Sequence, residues 1–265
     1  MTTNGKTTAR VFDTPDGESL QRSMVMGSRM TYSRLIGALF LTGFLVYGVG
    51  MILVTSVIGA PDLLSTMSAL QSTLVLGAFL MLLNTVVDVG KGVLFFPILE
   101  RHGKRTALAY LAAVIVQVVL LDIGVLCLLM LVPLGQYALD AGGASTAWAT
   151  GLGSLLTHAN TMAYQIGQAT LSGGGIFLCA LLFRTRLLPR ALAGLGVIGY
   201  AIHLAGAIAE IFGVPISLLT MVPGALFEVT LPLWLFIKGF QPAAYGDRME
   251  EVMLPTTMRP ALATR

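Results

Sequence analysis

Six stretches of this chain run for twenty residues or more with few or no charges, and fifteen of its sixteen Lys and Arg lie in the segments between and beyond them. An apolar helix of roughly 20 residues spans the hydrocarbon core of a bilayer. Inside lipid the backbone must satisfy its own hydrogen bonds, which such helices do. The expected fold is therefore all-α: an integral membrane bundle of six transmembrane helices. Composition agrees, with 55% hydrophobic and 11% charged residues against about 25% charged in soluble domains.

The expected spans are Leu35 to Ile58, Leu70 to Leu99, Ala107 to Val132, His158 to Phe183, Ala191 to Phe212 and Ser217 to Ile237. Between the third and fourth, residues 133–157 read as a loop-like segment at the membrane interface, with Trp148, Leu152, Leu155 and Leu156. Residues 1–34 read as a cytoplasmic, mostly disordered tail. Within it, Gln21 to Arg34 is a candidate interfacial helix carrying Met24, Met26 and Met30. The transmembrane domain then covers 35–240, and 241–265 is a second cytoplasmic tail. No signal peptide is expected, because the first apolar run follows a long polar segment and lacks a cleavage site.

Charge sets the orientation. With six spans and a cytoplasmic amino end, every Lys and Arg except Lys91 falls in a cytoplasmic segment. The positive-inside rule then places both termini in the cytoplasm, and a five- or seven-span count breaks the asymmetry. The net charge of +3 is explained by these flanks. No stacking aromatics interleave with them, so nucleic acid is not an expected partner.

Cys127 and Cys179 lie in apolar runs without CxxC or Cys/His spacing. They read as buried thiols, not as a disulfide or zinc framework. Gly173, Gly174 and Gly175 are not followed by the Gly-Lys-Ser/Thr of a phosphate loop. Ala201, Ala205, Ala209 and Gly213, four residues apart, are expected to mark a close helix contact.

The chain resembles the bacterial membrane proteins grouped as domain of unknown function 4386, over roughly residues 33–240. Arg34-Leu35-Ile36-Gly37 opens the first span and Arg105-Thr106-Ala107-Leu108-Ala109 the third. Leu188-Pro189-Arg190 with Leu195-Gly196-Val197-Ile198-Gly199 opens the fifth. Phe227-Glu228, Pro232-Leu233-Trp234-Leu235 and Lys238-Gly239-Phe240 close the sixth. The resemblance implies a six-helix protein of the bacterial cytoplasmic membrane and no particular activity. Relatives tend to carry Arg and Glu three residues apart in the third span. Val114 and Gln117 stand there in this chain, so a charge-dependent role at that point does not carry over.

Chemistry must come from polar groups inside the spans. Asp88, Lys91, Asp122, His203, Glu210 and Glu228 are ionisable there. Each is expensive in lipid unless paired or hydrated, and each is thereby a functional candidate. Asn84, Asp88 and Lys91, spaced four and three apart, share one helical face. Asp88 and Lys91 read as a structural ion pair, with Lys91 snorkelling toward the cytoplasm and Asn84 left deeper in the bilayer. Counting from span ends puts Glu228 and His203 nearest the midplane, with Gln117 and Gln168 close by and Asp122 toward the outside. Pro232 follows Glu228 by four residues and deprives its carbonyl of a helical partner. An acid beside freed backbone resembles the broken-helix sites of transporters. Thr161, Gln165, Gln168 and Ser172 share a face that lines either a polar cavity or a helix contact.

The candidate ligand-binding residues are therefore Glu228, His203, Asn84, Gln117, Gln168 and Asp122. No catalytic constellation, cofactor motif or metal-ligand set is legible. The leading expectation is binding or permeation of a small or lipid-like molecule at a polar midplane site. Two alternatives stand beside it: a structural or regulatory membrane protein working through helix or tail contacts, and an intramembrane lipid-modifying enzyme using Glu228 or Asp122 as acid or base. Expected partners are membrane lipids, such a ligand, and a second copy of the chain.

Overall fold

The computed structural model describes residues 15–60, 66, 69–140 and 146–245. Helix α1 is Pro15–Ile58, α2 Gln71–Asp140, α3 Thr146–Thr185, α4 Arg190–Ile211 and α5 Ser217–Ile237; a short 3-10 turn, Pro242–Ala244, follows. No strand occurs among the described residues. Five helices are long and apolar enough to cross a membrane. These are the dimensions and composition of a membrane protein.

Helix α2, 70 residues long, departs from helical geometry at Gly103 (φ 180°, ψ 79°). Its limbs, 71–102 and 104–140, fold back on each other. Gly92 of the first meets Leu111 and Val114 of the second, the Phe95 ring meets Tyr110, and Gln136 donates to Gln71 across 3.4 Å. Each helix packs on its neighbour in the chain, and α5 closes back on α1. The result is a ring of six antiparallel rods. Glycines sit at the seams and let backbones approach. A β-carbon on Gly77 would lie 2.8 Å from the Gly50 carbonyl between α1 and α2, and one on Gly199 2.8 Å from the Pro223 carbonyl between α4 and α5.

The ring presents apolar side chains outward and gathers polar ones inward. Leu45, Ile52, Val86, Leu126, Phe177 and Leu219 are exposed, whereas Ser33, Asn84, Asp88, Gln117, Gln165, Ser172 and His203 are buried. That inversion suits a lipid surroundings. Two apolar clusters brace the ring. The larger holds Phe40, Phe95, Tyr110, Leu182, Phe227 and Phe240. The smaller holds Val54, Val57, Leu74, Leu128 and Leu131 at the opposite end.

The larger cluster lies at the end where the basic flanks gather. There Arg34 donates to the Phe236 carbonyl (3.3 Å) and Gln241 N–H to the Leu187 carbonyl (3.1 Å). A directed chain of hydrogen bonds ties the two ends of the sequence together: Phe240 N–H to Ser33 Oγ (3.2 Å), Ser33 with the Tyr245 hydroxyl, and Tyr245 to the Arg29 carbonyl (2.9 Å). Burial pushes the Tyr245 phenol up from its ordinary value, with Ser33 and Arg29 partly opposing. Gly239 (φ +68°) makes the turn that delivers this segment. At the far end Gly213 (φ +86°) terminates α4.

Several expectations are corrected here. Residues 15–34 are helical and continuous with the first apolar run, not a mostly disordered tail; residues 1–14 lie outside the described residues. Contacts of Tyr32 and Ser33 with Leu94, Phe240 and Tyr245 hold the end of this segment in place. The core also continues past residue 240, since Ala244 and Tyr245 are buried; 246–265 lie outside the described residues. The segment expected to be a loop over 133–157 divides between α2 and α3, with 141–145 outside the described residues. Pro133 removes one backbone donor without ending α2, because the remaining ladder holds on either side. On α4, Ala201 and Ala205 are exposed, while Gly196, Gly199, His203 and Gly206 are buried against α5 and α3. The close contact uses the glycine face, where the missing side chain admits Pro223 and Thr220.

Candidate functional site

The inward polar groups line a funnel. Its wider chamber has a volume of about 300 Å³ and is walled by Tyr47, Met51 and Val54 of α1, Met81, Leu121 and Gly124 of α2, Asn160, Thr161, Tyr164 and Gln165 of α3, His203 and Glu210 of α4, and Met221 of α5. It lies toward the end that carries the carboxyl terminus of α1. The Tyr47 and Tyr164 rings stack there, 6.1 Å apart and 14° from parallel. A shallow surface depression beside Ile58 and Thr161 continues it outward, reaching Ser154 and His158.

Tyr47 and Leu121 also wall a narrower chamber of about 90 Å³. It holds Gly43, Asn84, Asp88, Lys91, Gln117, Gln168 and Glu228. Four of the six candidate ligand-binding residues, Asn84, Gln117, Gln168 and Glu228, meet here, from three different helices. His203 stands in the wide chamber and reaches the narrow one through Gln168, its Nε2 lying 3.3 Å from Gln168 Oε1. Asp122 lines neither chamber. It lies beside Thr85, with one carboxylate oxygen buried and unpartnered.

The polar stripe is a single bonded unit. Asn84 Nδ2 donates to Asp88 Oδ2 (3.0 Å), and Lys91 pairs with Asp88 Oδ1. The helical spacing of four and three makes both contacts local. Lys91 does not snorkel toward the basic end. Its ammonium sits 4.8 Å over the Phe40 ring and faces the chamber. Only Gly43 leaves room for this, since a β-carbon there would lie 2.9 Å from Asn84 Oδ1 and 3.2 Å from Lys91 Nζ.

Glu228 is held from α4. The Tyr200 hydroxyl donates to its Oε1 across 2.9 Å. Gly175 seats that tyrosine, for a β-carbon there would fall 2.7 Å from the ring. The three-glycine run thus serves a side chain that sequence reasoning did not single out. Tyr47 and Gly43 were missed as well. Pro232 removes the donor that the Glu228 carbonyl would use, and α5 stays helical through it. The Pro232 backbone instead touches α1, 3.2 Å from where a Gly37 β-carbon would stand.

Of the α3 face, Thr161 and Gln165 line the wide chamber and Gln168 the narrow one. Buried acceptors without a partner include Gln117 Oε1, and Ser172 Oγ is also unpartnered. Such groups cost roughly 1–3 kcal/mol each when left dry. Among the described residues no group of three or more His, Cys, Asp and Glu converges on one point.

Below the narrow chamber the funnel is shut. Phe95 sits edge-on to Phe40 (5.8 Å), Tyr110 (6.3 Å) and Phe240 (5.7 Å). This plug separates the polar floor from the basic end. The profile of a family described as Domain of unknown function (DUF4386) matches residues 35–239. No curated protein and no solved structure matches the chain.

Proposed function

The chain belongs to the DUF4386 family, and we propose that it binds a small or lipid-like molecule in the polar funnel of a six-span bundle in the bacterial cytoplasmic membrane. In this reading both limbs of α2 cross the bilayer, and both termini are cytoplasmic. The 70-residue α2 is about 100 Å long at about 1.5 Å per residue, enough for two crossings of a core about 30 Å thick. The positive-inside rule supplies the orientation. The wide chamber then opens outward, and the aromatic plug faces the cytoplasm.

One observation carries the reading: a polar floor of Asn84, Gln117, Gln168 and Glu228 at the closed end of a funnel whose wider chamber has a volume of about 300 Å³. Ligand sites are concave, mostly apolar, and carry a few convergent polar groups. At that floor the buried Gln117 Oε1 is an acceptor with no protein donor, which a ligand's donor would satisfy. Passage through the protein would need the plug around Phe95 to part. Binding alone does not.

Native mass spectrometry of the purified protein tests this. A defined non-protein mass retained by the wild type and reduced in Glu228→Gln is expected. A clean apo mass for the wild type in lipid extract would sink it. A protein acting only through helix or tail contacts would be indifferent to Glu228→Gln.

A further inference from the structure

The charge and hydrogen-bond inventory of the funnel restricts what it accepts. Among the described residues every Lys and Arg other than Lys91 lies outside the chambers. Lys91 is already engaged, by Asp88 on one side and the Phe40 ring on the other. The acidic side chains of the narrow chamber are Asp88, which takes that pair, and Glu228. The narrow chamber thus holds one more acidic side chain than basic ones. An anionic ligand would find the one cation, Lys91, already paired with Asp88 and would face Glu228 beside it. Burying a charge without a counter-charge is strongly unfavourable.

The hydrogen-bond inventory agrees. The Asn84 amide nitrogen is committed to Asp88, and the Tyr200 hydroxyl to Glu228. Gln117 is 3% exposed and its Oε1 has no donor. It stands in the same chamber as the Glu228 carboxylate. Both want a donor from the ligand. A group that supplies several N–H donors and one positive charge satisfies both at once. Above them the walls change character. The stacked Tyr47 and Tyr164 faces and the thioethers of Met51, Met81 and Met221 favour an apolar body.

We infer that the ligand class of this funnel is a primary-ammonium amphiphile. Its ammonium is seated between Glu228 and Gln117, and its apolar body lies against Tyr47, Tyr164 and the methionine wall. This rests on the binding reading above and narrows it. The wide chamber, about 300 Å³, accommodates an aryl-sized body, near the lower limit of ligand pockets.

Equilibrium dialysis of the full chain in detergent, against three probes of one shape, tests the assignment. The probes are 2-phenylethylammonium, neutral 2-phenylethanol and anionic 3-phenylpropionate. The ammonium should bind about tenfold or more tighter than the alcohol, as a charge-assisted hydrogen bond predicts, and the anion should not saturate. Glu228→Gln should weaken the ammonium by a similar factor. Gln117→Met should weaken it while leaving the melting temperature unchanged or higher, because it removes an unpartnered acceptor without changing length. A packing role for Gln117 would lower the melting temperature and spare binding, which would count against the assignment. The wild-type probe series and the Gln117 variant do not depend on Glu228→Gln folding. Equal or tighter saturable binding of the alcohol or the anion would overturn the ammonium class and leave the cavity reading standing. Binding of none of the three would overturn both.

Discussion

The Tyr200 hydroxyl and the Glu228 carboxylate, 2.9 Å apart, join α4 to α5 at the floor of the funnel. Tyr200 is buried, and its ring lies edge-on to Phe227. Hydrogen bonds of this kind are worth about 1–3 kcal/mol in a dry setting. Tyr200→Phe should therefore lower the melting temperature in detergent, corresponding to a loss of about 1–3 kcal/mol. Gly175→Ala should produce a comparable loss by pushing the ring aside. The two should combine with less than additive effect, since both act on one contact. Full additivity would show that Gly175 does not serve Tyr200.

The Asp88–Lys91 pair invites a double-mutant cycle. Lys91→Met leaves Asp88 bonded only to Asn84. Breaking one half of a buried pair costs about 3–5 kcal/mol, whereas replacing both halves costs far less. Lys91→Met should thus destabilise more than Lys91→Met combined with Asp88→Leu, as read from unfolding in detergent. The reverse order would mean that the Asp88 carboxylate is hydrated from the chamber and needs no cation beside it.

The aromatic plug makes a prediction about leakage. Phe95 is fully buried and touches three rings. Phe95→Ala should cost about 3–5 kcal/mol. In liposomes it should also raise the permeability to a small cation well above the wild type. An unfolded variant is recognised by its lost melting transition. A folded variant as tight as wild type would place the barrier elsewhere.

At the basic end, pH reports on Tyr245. Its phenol titrates above the ordinary value of 10.0 because it is buried. Below that value both folded and unfolded chains hold the proton, and pH has no leverage. Above it the unfolded chain releases the proton first, so stability falls as pH rises. The melting temperature of the wild type should drop more steeply above pH 10 than that of Tyr245→Phe. Tyr245→Phe itself should cost about 1 kcal/mol at neutral pH for its lost hydrogen bonds. Parallel curves would show that Tyr245 is already solvated.

Much of this bundle was legible in the residues. Apolar runs longer than a bilayer is thick leave few options, and the fold-back at Gly103 lies in the basic flank between two such runs. The local pairs were legible too, because helical spacing alone sets Asn84 beside Asp88 and Asp88 beside Lys91. What spacing cannot supply is the direction of a face. Small residues recur on two sides of α4, and the buried one is Gly199 and Gly206, not Ala201 and Ala205. Lys91 was misplaced for a related reason. Depth along the axis is readable from the sequence, but whether a long side chain bends toward water or toward a ring such as Phe40 depends on a neighbouring helix. Tyr200, Tyr47 and Gly43 gave no signal because their roles exist only across helices.

The ring closes only when α5 reaches α1, and that has a consequence for synthesis. A chain emerging from the amino end delivers Lys91 early and Glu228 last. Through most of its insertion the protein carries an ammonium in the membrane with the distant acid still unmade. Asp88 precedes Lys91 by one helical turn on the same strand of chain, so the charge is covered from the moment it enters lipid. Glu228 arrives last, to be met by Tyr200, and joins a chamber in which Lys91 has held its partner Asp88 from the start.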